Sequence, residues 1–393
     1  MRTKIRKTCR VCDSPEIATV LNLGNFYLSS FVDDRNENIG RAPLELVECK
    51  DCSLVQLKHT APVELMYSNQ YWYKSGVNKV IRDDLKEIVR VAIELAKPKK
   101  GDAFMDLGAN DGTLLSYVPK KFYRLGIEPA KNFIKELRQH CDKAICGFWG
   151  EGGKVNIPEN KKAKIITAIG MFYDSENPNA FIKDCRDFLH EDGLFIAQMM
   201  TLQAMLDKND VGNICHEHLE FYTYESLIRL FEQNGLEIFK VEKNTINGGS
   251  YRIFARHYKK GSVKLKEKTP DFTKYKKQIE QNKTQLVAFI EKALKSGKKV
   301  FAYGASTKGN LMLQYYGLDY RHITAIADAN PAKIGKFTAG TKIPIVSEEE
   351  ARKHADYFFI LPYAFTDFFL KRESAWRKKG GKFIVSTPKF KIL

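Results

Sequence analysis

The sequence has no long apolar run, and this absence limits where the protein can reside. No stretch reaches the roughly 18 consecutive apolar residues that a membrane-spanning helix needs. The first residues, MRTKIRKTCRVC, lack the apolar core of a secretory signal peptide. Internal repeats and low-complexity tracts are also missing. We therefore expect a globular, cytoplasmic protein with no membrane partner.

Length and charge suggest more than one domain and leave open what the protein binds. At 393 residues the chain exceeds the roughly 250 to 300 residues at which a single core stops growing. The net charge of +17 is compatible with a nucleic acid or another polyanion. However, the lysines are spread over predicted helix faces and form no single tract, which disfavours nucleic acid as a partner.

Half of the eight cysteines form two CxxC pairs. A disulfide scaffold is disfavoured in a chain of this length without an export signal. Two paired knuckles supply the tetrahedral sulfur set that zinc prefers, and four protein ligands leave no open position for a catalytic water. Residues 1–66 also hold too little apolar material for a core without a metal. We predict structural zinc, with four unligated cysteines as the alternative; the ligands are Cys9, Cys12, Cys49 and Cys52.

Strands and helices alternate after this segment. Apolar residues at helical spacing predict a helix over 77–96. The buried strands AFMDLGA, FYRLGIEP, DKAICGF, AKIITAIGM and GLFIAQMM follow, which is the signature of a parallel α/β sheet. Two more strands, GLEIFKVEKN and SYRIFARHY, flank Asn247-Gly248-Gly249 and predict an antiparallel hairpin. That ending is typical of class I methyltransferases and atypical of nicotinamide dehydrogenases.

A second alternation begins after a lysine-rich stretch at 260–299, whose apolar stripe predicts a helix connecting two domains. The strands KKVFAYGA, ITAIADA, DYFFILPY and KFIVSTP predict a doubly wound domain. The predicted fold is α/β, and we divide it into a zinc-binding module at 1–66, a class I methyltransferase Rossmann-like domain at 67–260 and a C-terminal Rossmann-like domain at 261–393.

The segment FMDLGANDGTLL predicts a cofactor loop. It runs from a buried strand through a glycine turn into a helix, so backbone amides can approach a ligand closely. The next strand ends in Glu128-Pro129, 20 residues after Gly108, where a carboxylate can accept both ribose hydroxyls. The alternatives are NAD and a plain structural turn. The residues expected at the methionine end of S-adenosylmethionine are Asp106, Gly108, Asn110, Asp111 and Gly112.

Three further segments hold candidate site residues. GNICHEHLEFYTYESL follows the fifth strand of the methyltransferase domain and gathers titratable groups, which indicates an acid/base site, although the histidines could instead bond buried carbonyls. The tyrosines of YSNQYWYKSG, residues 67–76, either close over a ligand or pack the linker. Loops containing Lys308 and Lys333 either hold a phosphate or form plain turns, since no Walker sequence is present.

Together these motifs resemble the sugar C-methyltransferase family, whose members build branched deoxysugars. The resemblance covers nearly the whole chain and rests on the paired CxxC module, YWYKSG, DLGANDGTLL, CHEHLEFYT, NGGSYR and the stretch from VFAYGASTKGN through IADANPAKIGKFTAGTKIPI. It implies S-adenosylmethionine in the middle domain, with a nucleotide-linked keto sugar between the three parts. It also implies that His218, Glu217 and Tyr73 are catalytic and that an enolate forms before methyl transfer.

The three candidate segments also hold the residues that we expect to contact the nucleotide sugar, namely Tyr71, His216, Tyr222, Lys308 and Lys333; for the two lysines the resemblance supports this expectation. The sequence departs from the family pattern at Gln198, Cys215, Ala339 and the segment GMFYDSENP. These departures put the identity of the sugar and the acceptor atom in question. The rival functions are a nucleic-acid-binding protein or RNA methyltransferase with structural zinc, and a sugar-nucleotide-binding scaffold without activity.

Overall fold

The N-terminal part is a small β-rich module. The computed structural model describes residues 3–67, 71–150 and 162–393. The elements of the module are β1 (Lys4–Ile5), β2 (Ile17–Tyr27), β3 (Phe31–Val32), β4 (Arg41–Cys49), β5 (Val55–Leu57), β6 (His59–Thr60) and α1 (Val63–Tyr67). Strands β2, β4 and β5 pair antiparallel in the order β5-β4-β2. Each CxxC pair lies in a turn of this module.

The middle part is built around a twisted sheet with helices on both faces. Its elements are α2 (Lys79–Ala96), β7 (Ala103–Leu107), α3 (Thr113–Ser116), β8 (Tyr123–Glu128), α4 (Ile134–Leu137), β9 (Lys143–Cys146), β10 (Ala163–Ile169), α5 (Pro178–Phe188), β11 (Leu189–Met200), α6 (Leu202–Lys208), β12 (Glu220–Phe221), α7 (Tyr224–Gln233), β13 (Leu236–Asn244) and β14 (Ser250–His257). Among the described residues the strand order is β13-β14-β11-β10-β7-β8-β9.

This strand order confirms the class I methyltransferase fold. Strands β7 to β11 are parallel, whereas β14 inserts antiparallel between β11 and β13. The predicted turn between the last two strands is also confirmed, because Asn247, Gly248 and Gly249 all have positive φ. Because the parallel strands point the same way, their carboxyl ends lie along one edge of the sheet, where ligands bind in open α/β sheets.

The C-terminal part is a second α/β unit. Its elements are α8 (Phe272–Lys295), β15 (Val300–Tyr303), α9 (Thr307–Tyr316), β16 (Ile326–Asp328), β17 (Phe337–Thr338), β18 (Ile345–Ser347), α10 (Glu348–His354), β19 (Tyr357–Ile360), α11 (Thr366–Arg372), α12 (Ser374–Lys378), β20 (Lys382–Val385) and β21 (Lys391–Ile392). The described strands are ordered β18-β16-β15-β19-β20-β21, and only β21 is antiparallel to its neighbour.

Helix α8 connects the parts, as its apolar stripe predicted. One face is buried along the whole helix, including Tyr275, Ile279, Leu286 and Ile290. It contacts β2 of the N-terminal module, α6 of the middle part and β15 of the C-terminal part. Helix α8 therefore packs into a core shared by all three parts.

The N-terminal module also adds strands to its neighbours. Strand β5 pairs with β12, so the module's sheet continues into the segment that follows the HEH motif. Strand β3 pairs with β17 of the C-terminal part. No helix in the described ranges is both long and apolar enough to cross a membrane.

Candidate functional site: a metal cluster and two adjoining cavities

The two CxxC pairs form knuckles with the same backbone geometry. In the first, the amide of Asp13 donates to the carbonyl of Cys9 at 3.1 Å; in the second, the amide of Ser53 donates to that of Cys49 at the same distance. Asp13 and Ser53 both have positive φ. The chain therefore reverses twice in the same way and points two pairs of thiols at one another.

The cysteine cluster fits a tetrahedral metal ion. The four Sγ atoms lie within 4.8 Å of one another. The Sγ atoms of Cys9 and Cys52 are 3.5 Å apart, as are those of Cys12 and Cys49. Four thiolates around zinc at about 2.3 Å place sulfurs about 3.8 Å apart, whereas a disulfide needs about 2.05 Å. The cluster therefore matches zinc and excludes disulfides.

The predicted cofactor loop lies at the carboxyl ends of β7 and β8. Gly108 has a positive φ of 66°, and a Cβ there would lie 2.6 Å from Cγ of Met171. Gly112 also has positive φ, and a Cβ there would meet the backbone of Leu137 at 3.2 Å. Only glycine fits at these two positions. The loop therefore brings its backbone close to the adjoining cavity.

The carboxylate of Glu128 stands at the end of β8, where the sequence placed the ribose. One oxygen accepts the amide of Asn110 at 2.8 Å and the other that of Ala130 at 2.7 Å. Burial raises the pKa of Glu128 to about 6. Each oxygen keeps a second lone pair, so the group remains able to accept two hydroxyls.

Three of the predicted loop side chains have protein partners. Asn110 bonds the backbone of Ser75 and Tyr73, and Asp111 accepts the amide of Gly76 at 2.9 Å. Asp106 accepts the hydroxyl of Thr167 at 2.6 Å, and burial raises its pKa to about 7. The first two side chains thus hold the tyrosine-rich linker over the loop, a role that the sequence did not indicate. Residues 68–70 of that linker lie outside the described residues.

A cavity of about 100 Å³ adjoins this loop, and we call it the nucleoside cavity after the ligand predicted from the sequence. Glu128 and Pro129 lie on one side, and the aromatic rings of Phe148, Trp149 and Phe181 lie at the far end. An aromatic enclosure beside a hydroxyl-binding carboxylate suits a nucleoside.

A second cavity of about 190 Å³ separates the middle and C-terminal parts. It includes His218 from the HEH segment and Lys308 from the start of α9. Both cavities share lining residues, so a ligand in one lies next to a ligand in the other. The shared residues are Tyr71, Tyr73, Ser75, Ile169 and Gly170.

The second histidine of HEH faces this second cavity. Nδ1 of His218 is 2.8 Å from the carbonyl of Asn213. A carbonyl only accepts, so Nδ1 carries the proton and Nε2 keeps its lone pair. Burial, followed by the nearby charge of Lys308, lowers the pKa of His218 well below 6.5. The ring of Tyr173 stands edge-on to the imidazole at 4.7 Å. The imidazole of His218 is therefore neutral and held in one orientation.

The first histidine has a different environment. Nε2 of His216 donates to the carbonyl of Ala42 in β4 at 3.0 Å, and Nδ1 has no partner among the described residues. Burial lowers its pKa to about 4. His216 lines neither cavity. It joins the HEH segment to the N-terminal module, which is the carbonyl-bonding alternative considered for these histidines.

The remaining candidates divide in the same way. Lys308 lines the second cavity, and its ammonium donates to Oδ1 of Asn213 at 3.1 Å. Lys333 is buried and donates to the carbonyl of Ala305 at 2.6 Å, away from both cavities. Tyr222 is buried in the middle domain, stacked on Phe172 at 5.3 Å.

The carboxyl of Glu217, the middle residue of HEH, is buried. Burial raises its pKa, and Oε2 has no hydrogen-bond partner in the described parts of the chain. Its side chain lines neither cavity. The backbone carbonyl of Glu217 accepts the hydroxyl of Tyr67 at 3.4 Å.

Sequence reasoning missed Asp174, which lies in the departing segment GMFYDSENP. Asp174 and Ser175 line the smaller cavity, and each has a buried side-chain oxygen without a partner among the described residues. Burial, followed by the charge of Glu217, raises the pKa of Asp174 well above 3.8. The signal available in the sequence was an acidic residue directly after the fourth strand of the domain.

Three consecutive family models match the chain. They are a zinc binding domain at residues 9–67, a methyltransferase domain at 73–241 and a C-methyltransferase C-terminal domain at 245–388. The C-methyltransferase NovU of Streptomyces niveus is 26% identical over 405 residues, covering 98% of this chain and 96% of NovU. The chain is an S-adenosylmethionine-dependent C-methyltransferase, related to NovU. The cofactors of this C-methyltransferase are S-adenosylmethionine and zinc, as the motifs predicted.

Solved structures resemble the methyltransferase part at low similarity. An S-adenosylmethionine-dependent methyltransferase from Clostridium acetobutylicum ATCC 824 is 12% identical with a TM-score of 0.37, covering 45% of this chain and 92% of its own. Magnesium protoporphyrin IX methyltransferase (ChlM) from Synechocystis PCC 6803 with bound SAH is 11% identical with a TM-score of 0.36, covering 46% and 89%. At these TM-scores neither supports an argument about substrate or site residues.

The cysteine cluster predicts one zinc per chain. Cys49→Ser is expected to remove the zinc and lower the melting temperature before it weakens cofactor binding, because Cys49 ends a strand and lines neither cavity. Elemental analysis of the purified protein and a thermal melt measure both. The control is Cys146→Ser, since Cys146 is exposed and outside the cluster. Disulfides among the four cysteines would contradict the prediction.

Glu128→Ala is expected to weaken binding of S-adenosylhomocysteine roughly 10- to 100-fold, the size of lost charged hydrogen bonds. Because the ionised carboxylate accepts the hydroxyls, wild-type affinity should also fall as the pH drops through about 6, and the variant should lose this step. Calorimetry across pH measures both effects, with the exposed Glu94→Ala as the control. Binding of NAD in place of the methyl-donor product would contradict the assignment.

Proposed function

We propose that this C-methyltransferase transfers a methyl group to a carbon next to the carbonyl of a nucleotide-linked keto-deoxysugar in the cytoplasm. The observation that carries the proposal is the neutral imidazole of His218 in a cavity adjoining the nucleoside cavity. A base is needed when the acceptor is carbon, because a C–H group must lose its proton before it becomes a nucleophile.

The proton transfer follows from the orientation of His218. Its Nδ1–H is committed to the carbonyl of Asn213, so Nε2 takes the proton from the carbon beside the sugar carbonyl. The electron pair of that C–H bond forms the enolate. When bound, S-adenosylmethionine would supply the electrophilic methyl for the enolate carbon, and the methyl–sulfur bond would break to leave S-adenosylhomocysteine. His218 then releases its proton readily, because burial lowers its pKa.

The enolate oxygen needs a hydrogen-bond donor. Tyr73 lines both cavities, and its side chain is hydrogen-bonded to Ser75, which lines them too. We assign Tyr73 this role, and we assign Glu217 the role of helping to hold His218 in position. Oriented donors at a developing oxyanion are worth most in a site with little water.

Lys308 is the residue that we assign to bind the diphosphate of the nucleotide sugar. Among the described residues that line the second cavity, Lys308 is the only lysine or arginine. It stands in the first turn of α9, with Ser306 and Thr307 beside it in the cavity wall. A helix N-terminus and an ammonium together favour a phosphate. Burial lowers the pKa of Lys308, and a bound dianion would favour its charged form.

His218→Asn is expected to abolish methyl transfer and solvent deuterium exchange beside the sugar carbonyl, with losses of roughly 10²- to 10⁴-fold, while cofactor affinity is retained. Mass spectrometry of a panel of nucleotide 4-keto sugars measures both. Since burial lowers the pKa of His218, the wild-type rate should stay level across neutral pH and fall only well below pH 6.5.

His216→Asn is the matched control, because this histidine is equally buried but lines neither cavity. It should melt earlier and keep exchange within about tenfold, the size of a modest positioning effect. Exchange lost in the His216 variant and kept in the His218 variant would transfer the role of base to His216. Exchange kept in both would point to Glu217 or a tyrosine.

Lys308→Ala is expected to raise the KM for the nucleotide sugar roughly 10- to 100-fold, the value of a charge-assisted hydrogen bond. Lys333→Ala should leave KM unchanged and lower thermal stability, because Lys333 bonds a backbone carbonyl within the C-terminal part. Steady-state kinetics with varied sugar nucleotide measure this. If the KM of Lys308→Ala is as unchanged as that of Lys333→Ala, the α9 loop has a purely structural role.

A further inference from the structure

Arg10 lies inside the first zinc knuckle, between Cys9 and Cys12, and its side chain is fully buried. Two donors fix it within the N-terminal module: Nη1 donates to the carbonyl of Leu57 at 2.6 Å and Nη2 to the hydroxyl of Thr60 at 2.8 Å. Such a buried guanidinium is costly unless its remaining donors also find partners.

Those remaining donors face the middle domain. Nη2 and Nε of Arg10 donate to Oε2 of Glu176 at 3.0 and 3.3 Å. Nε also lies 3.6 Å from Oε1 of Glu220, whose carboxyl has no hydrogen-bond partner within the described residues. One guanidinium from the zinc knuckle therefore reaches two carboxyl groups on two different segments of the methyltransferase domain.

Both segments belong to the candidate active site. Glu220 begins β12, two residues after His218. Glu176 follows Tyr173 by three residues, and the Tyr173 ring contacts the His218 imidazole edge-on. The amide of Leu219 donates to the carbonyl of Tyr173 at 2.9 Å, so the two segments also touch directly. Arg10 is thus placed to fix the positions of His218 and Tyr173 relative to one another.

We propose that Arg10 is a positioning residue that fixes the segments 173–176 and 218–220 and so aims His218 into the second cavity. The zinc knuckle fixes the Arg10 backbone through the ligands on either side. The planar fork of the guanidinium donates to three acceptors and also stands 3.6 Å from the Glu220 carboxyl, an arrangement that a lysine could not reproduce. The catalytic consequence rests on the proposed function, whereas the ordering of the two segments does not.

The test compares Arg10→Lys with Lys4→Gln in the full-length zinc-loaded protein. Lys4 also pairs with Glu176, but its side chain is 61% exposed, and exposed pairs contribute little. Hydrogen–deuterium exchange with peptide mass spectrometry is expected to show faster amide exchange at 173–176 and 218–220 in Arg10→Lys alone, by about tenfold or more. Zinc content and S-adenosylhomocysteine affinity should match those of the wild type.

Kinetics add a readout that a merely structural residue would not move. The kcat of Arg10→Lys should fall roughly 10- to 100-fold with KM nearly unchanged, since a misplacement of about 1 Å is enough for such a loss. Glu176→Gln should reproduce the effect, and the double variant should be no worse than either single one. If Arg10→Lys fails to fold, Glu176→Gln carries the test.

Unchanged amide exchange in both segments, for a folded Arg10→Lys or for Glu176→Gln, would overturn the proposal. Equal effects in Arg10→Lys and Lys4→Gln would also overturn it, because a general loss of charge would then explain both. If the segments loosen as expected but the wild type methylates no keto sugar, the positioning role stands and the proposed function fails.

Discussion

The pairing of β5 with β12 is the contact on which the rest of the site depends. Strand β12 has only two residues, too few to hold a position by itself, and it gains its place as the edge strand of the N-terminal sheet. The second zinc knuckle forms the turn between β4 and β5, so metal, sheet and HEH segment form one continuous unit. Zinc in this enzyme is therefore placed to support the geometry of the HEH segment, and its four thiolate ligands leave no open position for a catalytic water.

The site is also defined by buried ionisable groups that lack protein partners. Oxygens of Asp174 and Glu217 are buried and unbonded among the described residues, and each such group costs about 1–3 kcal/mol. Burial raises the pKa values of Asp174 and Glu217 and lowers those of His218 and Lys308, so it favours the neutral form of each group. This cost is understandable if a polar ligand supplies the missing hydrogen bonds, since strained and unsatisfied groups cluster at functional sites.

The segment GMFYDSENP, a departure from the family pattern, contributes residues to both cavities. Tyr173 contacts His218, Asp174 lines the nucleoside cavity and Glu176 accepts Arg10. A second departure, Gln198, accepts Arg252 and donates to Asp84 in a buried network at the wall of the second cavity. Both departures therefore contribute side chains to cavity walls.

The sequence by itself determined the class of fold, the zinc ligands and the cofactor, because each depends on local patterns. Hydrophobic periodicity predicted the strands, CxxC spacing predicted the cluster, and a glycine turn followed by an acidic strand end predicted the nucleoside site. The domain boundaries at 66/67 and 260/261 remain predictions.

The tertiary structure alone showed that His218 and His216, Lys308 and Lys333, and Tyr71 and Tyr222 have different surroundings. Members of each pair share a residue type, and the two histidines also share a motif, so no local pattern indicates which member lines a cavity. Their difference lies in what packs against them: the Ala42 carbonyl covers His216, and the Ala305 carbonyl engages Lys333. Contacts between residues more than a hundred positions apart also placed Arg10 beside Glu176. Such contacts arise from packing three parts together, and no local pattern encodes them.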